Sequence, residues 1–327
     1  MPTEKRLLLF GASGRIGQVI ARRAAEAGYR LLTPAHAECP LEDAERVSDL
    51  VLGCGAQVVI NAAAMSRLEA CEDDPLLAHR VNALAPAAMA LACRHTGARF
   101  LHLSTDYVLE GHRAGLKDES TRCKPLNLYG ESKREAEFAI AEAHAESLVL
   151  RVSWVCGNPE KPGFIEQILD RAKNGDALAA IDDQFSLPTD AEDVARALLL
   201  LAETDARGVF QLCSGGEPMS RWDCATLALQ EAVRLGLLPA APPIARQKLK
   251  SVPFFRAPRP QHTAMNNAKL RSLGIPLPTA EEAIAAMVRR YGERTKGGIC
   301  REVGSLKLEV GSVEIRAADA AIIKRNA

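Results

Sequence analysis

Tyr129 and Lys133 stand four residues apart in Tyr129-Gly130-Glu131-Ser132-Lys133, and on a helix that spacing puts both on one face. A free phenol has a pKa of about 10, too high for easy proton exchange at neutral pH. A neighbouring ammonium stabilises the phenolate and lowers that value. Tyr129 is therefore a candidate general acid for a carbonyl oxygen under reduction, with Lys133 placed to tune it. A surface tyrosine with a lysine stem lying beside it would show the same spacing, so the pair is read with its surroundings. Upstream, Ser104-Thr105-Asp106 follows an apolar run, where a hydroxyl can hold a substrate carbonyl oxygen; the alternatives are a helix or turn cap for Ser104 and Thr105 and an Asx-turn for Asp106.

Gly11, Gly14 and Gly17 form GxxGxxG directly after Leu7-Leu8-Leu9-Phe10. A tight turn, a close backbone approach and a free helix N-terminus are what a pyrophosphate requires, and glycine permits the first two. An ordinary βα turn is the plainer reading, but the position after the first buried strand favours a dinucleotide. Lys133 would then also bond the nicotinamide ribose. An acid ending the second strand would favour NAD through the ribose 2′-hydroxyl. That region reads Leu32-Thr33-Pro34-Ala35-His36, with no acid, and Arg15 in the glycine loop is a candidate partner for a 2′-phosphate. NADPH is thus preferred over NADH.

These residues need a scaffold. Leu7–Phe10, Tyr29–Thr33, Gln57–Asn61, Arg99–Ser104 and Ser147–Val152 read as buried strands; Ile16–Ala27, 76–96 and 130–145 read as helices. Gly28 is the expected C-cap of the first helix. Alternating strands and helices predict an α/β fold with a doubly wound parallel (Rossmann) sheet and a smaller C-terminal substrate lobe. The expected division is a dinucleotide-binding domain over 1–155, with later returns to the sheet near 190–215, a lobe over 156–291, and a tail over 292–327. Ser220-Arg221-Trp222-Asp223 reads as a capping box that opens a helix. In the tail, Leu306, Leu308 and Val310, then Gly311-Ser312, then Val313 and Ile315 read as a hairpin.

The chain has 327 residues, 47% hydrophobic and 25% charged, with formal net charge +0. This balance gives no electrostatic reason to expect nucleic acid or a membrane as partner. No apolar run is read as long enough to span a bilayer, and glycine ends the run after Lys5-Arg6 too early for a signal peptide. Nine scattered cysteines without a CxxC pair read as reduced thiols and a cytoplasmic location. No histidine spacing suits a metal, and no Gly-x-Ser-x-Gly suggests a hydrolase.

Several blocks together resemble the dTDP-4-dehydrorhamnose reductases, a branch of the extended short-chain dehydrogenases. They are Asn61-Ala62-Ala63-Ala64, Val81-Asn82, Ser104-Thr105-Asp106-Tyr107-Val108, Pro125 to Lys133, Arg151-Val152-Ser153-Trp154-Val155, Asp183-Gln184 with Pro188-Thr189, and Arg259-Pro260 with Lys269-Leu270. The resemblance implies a catalytic triad of Thr105, Tyr129 and Lys133. It implies Asp106, Tyr107 and Trp154 at the sugar, and Gly11, Gly14, Gly17, Ala62 and Ala63 along the cofactor; Arg15 and Ile16 of the glycine loop, with Tyr129 and Lys133, are expected to meet the cofactor as well. The expected partner is a nucleotide-sugar substrate, and a homodimer is compatible with the family. Phe10, Pro40-Leu41, Leu109-Glu110, Ser186 and Asn266 depart from its pattern.

Two other functions fit parts of the sequence. A nucleotide-sugar dehydratase or epimerase uses the same scaffold, but dehydration needs an acid where Tyr107 stands. A non-catalytic regulatory subunit, resembling methionine adenosyltransferase β, would bind NADP without needing Tyr129.

Overall fold

The computed structural model describes residues 5–296. Its first half alternates strand and helix: β1 (Arg6–Phe10), α1 (Arg15–Glu26), β2 (Arg30–Leu32), α2 (Ala44–Gly53), β3 (Val58–Asn61), α3 (Leu68–Asp73), α4 (Pro75–His79), α5 (Ala85–Thr96), β4 (Arg99–Thr105), α6 (Leu128–Ala143) and β5 (Leu148–Val152). The second half has shorter strands, β6 (Val155–Cys156), β7 (Leu178–Ile181), β8 (Phe185–Ser186), β9 (Thr189–Asp190), β10 (Gly208–Leu212), β11 (Met219–Ser220) and β12 (Ile244–Gln247). Its helices are α7 (Phe164–Lys173), α8 (Ala191–Ala202), α9 (Arg221–Arg234), α10 (Ala268–Ser272) and α11 (Ala280–Lys296).

Six strands form one parallel sheet in the order β10-β5-β4-β3-β1-β2. Successive side chains of a strand point to opposite faces. From β1, Leu7 and Leu9 enter a core with Val19 and Ile20 of α1 and Leu198 and Leu201 of α8. Leu8 and Phe10 enter the opposite core with Val47 of α2, Met89 of α5 and Ile140 of α6. Both faces are covered, so these strands appear in the sequence as continuous apolar runs rather than alternating ones. A third core joins α7, α9 and α11 through Ile165, Leu169, Leu229, Ile284 and Met287, and takes in Val108 and Leu109 from just beyond β4.

The chain steps from β1 to β2 on one side and then crosses to β3 on the other. That change of direction leaves a crevice beyond the C-terminal ends of β1 and β3, the place where open α/β sheets bind ligands.

Two sequence expectations change. The helical stretch Pro75–Thr96 is long and apolar enough to cross a membrane by length and composition, contrary to the reading that no run reaches that length. In the fold its Ala85, Met89, Ala92 and Cys93 are buried against the sheet. At the other end, α11 continues to Lys296, so the tail expected from residue 292 begins as helix. Gly292 packs so tightly that a Cβ there would lie 2.9 Å from the Leu237 side chain. The hairpin read between Leu306 and Ile315 lies outside the described residues.

Candidate active site

Gly11, at the end of β1, has φ +81, and a Cβ on it would sit 2.6 Å from the Ala63 backbone nitrogen. The loops after β1 and β3 therefore touch backbone to backbone. Gly17 does not line the crevice as expected. It lies one turn into α1 and is buried, and a Cβ there would come 1.9 Å from the Gly11 carbonyl oxygen, so it lets the helix press on the loop. Gly14 is the N-cap and supplies no side-chain bond to the first-turn N–H groups of α1. Those groups remain available to an anion, with the positive end of the helix dipole behind them. Gly11→Ala is expected to destabilise the fold by about 1–3 kcal/mol through left-handed strain and the clash, and to weaken dinucleotide binding about tenfold or more. A urea midpoint and a fluorescence titration with NADPH check both.

Two cavities meet at this loop. One, of about 1390 Å³, runs past Phe10, Thr33, Pro34, Ala35, His36 and Leu41. Its apolar floor and position beside β2 suit an adenosine. The other, of about 540 Å³, is lined by Gly11, Gly14, Arg15, Ile16, Ala62 and Ala63 on one side. Thr105, Asp106, Tyr107, Tyr129, Lys133 and Trp154 line its other side. The glycine loop, the open helix N-terminus and the paired cavities fit a dinucleotide. Arg15 is not placed for a 2′-phosphate: its guanidinium donates to the carbonyls of Lys161 (2.9 Å) and Pro162 (3.0 Å). The first turn of α1 faces the 158–162 loop, and Asn158 donates back to the Arg15 carbonyl at 2.9 Å.

β4 delivers the hydroxyl. Ser104 turns into the fold and donates to Glu137 Oε1 at 2.6 Å, so Thr105 faces the crevice. The Thr105 oxygen accepts from the Tyr107 N–H at 3.2 Å and so caps a 3₁₀ turn over Asp106–Val108. α6 delivers Tyr129 and Lys133. Asn127 caps it, accepting from the Gly130 N–H at 2.8 Å. A Cβ at Gly130 would lie 2.4 Å from the Tyr107 carbonyl oxygen; glycine lets α6 come down onto the Thr105 turn. Asn82, in a π-helical turn between α4 and α5, bonds Met65 and the Ser132 hydroxyl. It fixes α6 relative to the loop after β3.

The electrostatics differ from the sequence expectation. Burial raises the Tyr129 pKa, offset in part by a hydrogen bond from Thr105 and reinforced by the Asp106 charge. Lys133 is engaged elsewhere: Nζ is 2.7 Å from the Leu103 carbonyl oxygen and 2.8 Å from His102 Nε2. The lysine therefore does not lower the phenol pKa in this arrangement. Burial pushes Lys133 down to about 7, against the pull of Glu137. Tyr129 thus holds its proton at neutral pH, as a proton donor must.

Asp106 faces the crevice but is 3% exposed. Its Oδ2 accepts from Thr263 (2.6 Å), Ser153 (3.2 Å) and Ser186 (3.3 Å). Burial raises its pKa, and these hydroxyls hold it back. The carboxylate therefore ties β4 to the second half of the chain. Tyr107 and Tyr129 meet edge to face, with ring centroids 6.0 Å apart. Trp154 is the only non-glycine residue with positive φ among the described residues, at +40, and its buried indole N–H has no partner. The Arg221 guanidinium lies 3.8 Å over the indole ring and 5.1 Å from that of Phe164, and lines the same cavity. The sequence reading took Arg221 only as part of a capping box. The signal was available: a cation in the first turn of a helix opposes the dipole and points to an anion nearby.

The family model described as RmlD substrate binding domain matches residues 5–293. The dTDP-4-dehydrorhamnose reductase of Escherichia coli (strain K12) is 31% identical over 295 residues, covering 86% of this chain and 96% of its own length. The chain belongs to the dTDP-4-dehydrorhamnose reductase family. Among solved structures, the family's Yersinia enterocolitica enzyme superposes with TM-score 0.81 at 22% identity, covering 88% of this chain and 100% of its own. The Bacillus anthracis enzyme, solved in complex with NADP, gives 0.80 at 22%, covering 89% and 100%. At that identity the two structures establish the fold. Two departures from the family pattern now have a place. Ser186 adds a hydroxyl to the Asp106 cluster, and Asn266 accepts from the Ala268 N–H at 2.8 Å at the start of α10.

Proposed function

We propose that this protein is an NAD(P)H-dependent reductase of a nucleotide-linked 4-keto sugar, acting on dTDP-4-dehydrorhamnose. The observation that carries the reading is the convergence of Thr105, Tyr129 and Lys133 with the glycine loop on one cavity. When bound, the reduced nicotinamide supplies the hydride for the sugar C4 carbon. Thr105 bonds the ketone oxygen. Tyr129 donates its proton to that oxygen as charge develops there, and becomes phenolate. Lys133, swung from Leu103 toward the nicotinamide ribose, stabilises that phenolate. Tyr107 and Trp154 offer aromatic faces with polar edges to the sugar, and the unpartnered Trp154 N–H is a free donor. Arg221 meets the nucleotide diphosphate.

NADPH is the preferred donor, because no acid ends β2. The dehydratase reading is weaker, because the side chain beside Thr105 and Asp106 is the phenol of Tyr107. For its location the proposal is the cytoplasm, where the free thiols of the described cysteines stay reduced. A homodimer is supported by exposed Leu84, Leu91 and Phe138 on and beside the adjoining helices α5 and α6.

With NADPH carrying deuterium at both nicotinamide C4 positions, the label should appear at sugar C4 in the product, read by mass spectrometry and NMR. A product without deuterium would remove the reductase reading. Arg221→Met should raise KM for the nucleotide sugar about tenfold or more with kcat changed less, since a charge-assisted contact of about 1.5–3 kcal/mol is lost. Steady-state kinetics check it.

A further inference from the structure

Lys133 ends a buried hydrogen-bond chain that starts at Ala63, in the loop after β3 that touches the glycine loop. Asn61 and His102 are register partners on β3 and β4, and both are fully buried. The Ala63 N–H donates to Asn61 Oδ1 at 3.0 Å, which fixes the orientation of the amide. Asn61 Nδ2 then faces His102 Nδ1 at 3.1 Å as a donor, so Nδ1 must be the acceptor. A neutral imidazole carries one proton, and here it lies on Nε2, which points at Lys133 Nζ, 2.8 Å away. A doubly protonated ring is excluded on the same count, since Nδ1–H would face an N–H; burial and the lysine also push the His102 pKa well down. An ammonium at Lys133 would set donor against donor. A neutral amine satisfies every contact: it accepts from His102 Nε2–H and donates to the Leu103 carbonyl oxygen.

We propose that Asn61 and His102 act as positioning residues that hold Lys133 as a neutral amine in the cofactor-free protein, so that the lysine takes up one proton from solvent as it moves onto the dinucleotide. The step balances simply. The Nζ lone pair leaves His102 Nε2–H and binds the proton, and no covalent bond between heavy atoms changes. Other charged groups near α6 do not supply a counterion. Glu137, one turn on from Lys133, is bound twice by Arg151 of β5 and once by Ser104. Asp106 is held by hydroxyls. On α3, Glu72 accepts from the Leu128 N–H at 3.0 Å, while the Cys71 thiol is kept neutral by burial. His79 of α4 pairs with exposed Glu135, and Arg94 of α5 reaches only the far end of α6. The proposal concerns the site assigned above, but its test needs no turnover.

In cofactor-free protein labelled with ¹⁵N-histidine, long-range proton–nitrogen correlation should show His102 as the neutral Nε2–H tautomer. Calorimetry of NADPH binding in buffers of different ionisation enthalpy should show uptake of about one proton at about pH 8, falling toward none at about pH 6, where the lysine is already charged. Asn61→Asp supplies an acceptor to Nδ1–H, turns Nε2 into an acceptor and favours the ammonium. This variant should bind NADPH with proton uptake near zero at both pH values. An Nδ1–H tautomer in the native protein, or buffer-independent binding enthalpy at about pH 8, would overturn the proposal. If NADPH does not bind at all, the reductase reading fails, and the tautomer measurement still decides this one.

Discussion

Tyr129→Phe should lower kcat by about 10²–10⁴-fold, the usual span for loss of a positioned general acid. NADPH affinity should change little, because the hydroxyl is not one of the loop groups that hold the pyrophosphate. The ring should also keep its place. It meets Tyr107 edge to face, and the helix that carries it is fixed by the Asn127 cap and the close packing of Gly130. The variant therefore separates chemistry from binding, and single-turnover kinetics beside a cofactor titration read the two separately. A variant that turns over at the native rate would remove Tyr129 from the chemistry and favour the regulatory-subunit reading.

Glu137→Gln should produce the largest loss of stability. Glu137 and Arg151 pair across α6 and β5 with side chains 2% and 4% exposed. The bonds are bidentate, Nε to Oε1 at 2.9 Å and Nη2 to Oε2 at 2.7 Å, and Ser104 adds a third donor. Removing one partner of a buried pair leaves the other charge uncompensated and costs about 3–5 kcal/mol. Here the orphan would be a guanidinium whose Nη1 already lacks a partner. The damage would sit directly behind Thr105, since Ser104 and Arg151 are register partners, so activity should fall with the urea midpoint. Replacing both partners with apolar residues should recover part of the stability. A loss of unfolding free energy of less than about 1 kcal/mol in Glu137→Gln would show that the pair is solvated in solution.

The parts of the site that were legible in the sequence are those encoded by short spacing. GxxGxxG after an apolar run located the anion loop, and YxxxK located one face of α6. The Ser104-Thr105 pair marked the end of β4; spacing alone left open which hydroxyl faces the crevice, the family resemblance named Thr105, and the buried Glu137 accounts for the choice by claiming Ser104. Gly17 and Arg15 share the glycine motif, yet one supports helix packing and the other binds carbonyls across the cleft, which the motif alone does not distinguish. The direction of Lys133 was not legible either. It depends on Asn61 and His102, single polar residues inside apolar strands, and their meeting follows from sheet register rather than sequence distance. Arg221 was missed because it reaches the cavity from α9, far along the chain. In the fold, strands with both faces covered were clear as apolar runs. Helix α2 escaped notice although Asp43 caps it, accepting from the Arg46 N–H at 3.0 Å; it follows a turn-rich stretch, and only Val47 and Val51 of it are buried.

The most direct test of reductase activity is the absorbance of reduced nicotinamide during incubation of the purified protein with NADPH and dTDP-4-dehydrorhamnose generated in place. NADPH should be oxidised in step with the ketone supplied, at a rate that collapses in Tyr129→Phe. NADPH binding without oxidation would contradict the assigned substrate and chemistry, and failure to bind NADPH or NADH would contradict the site itself.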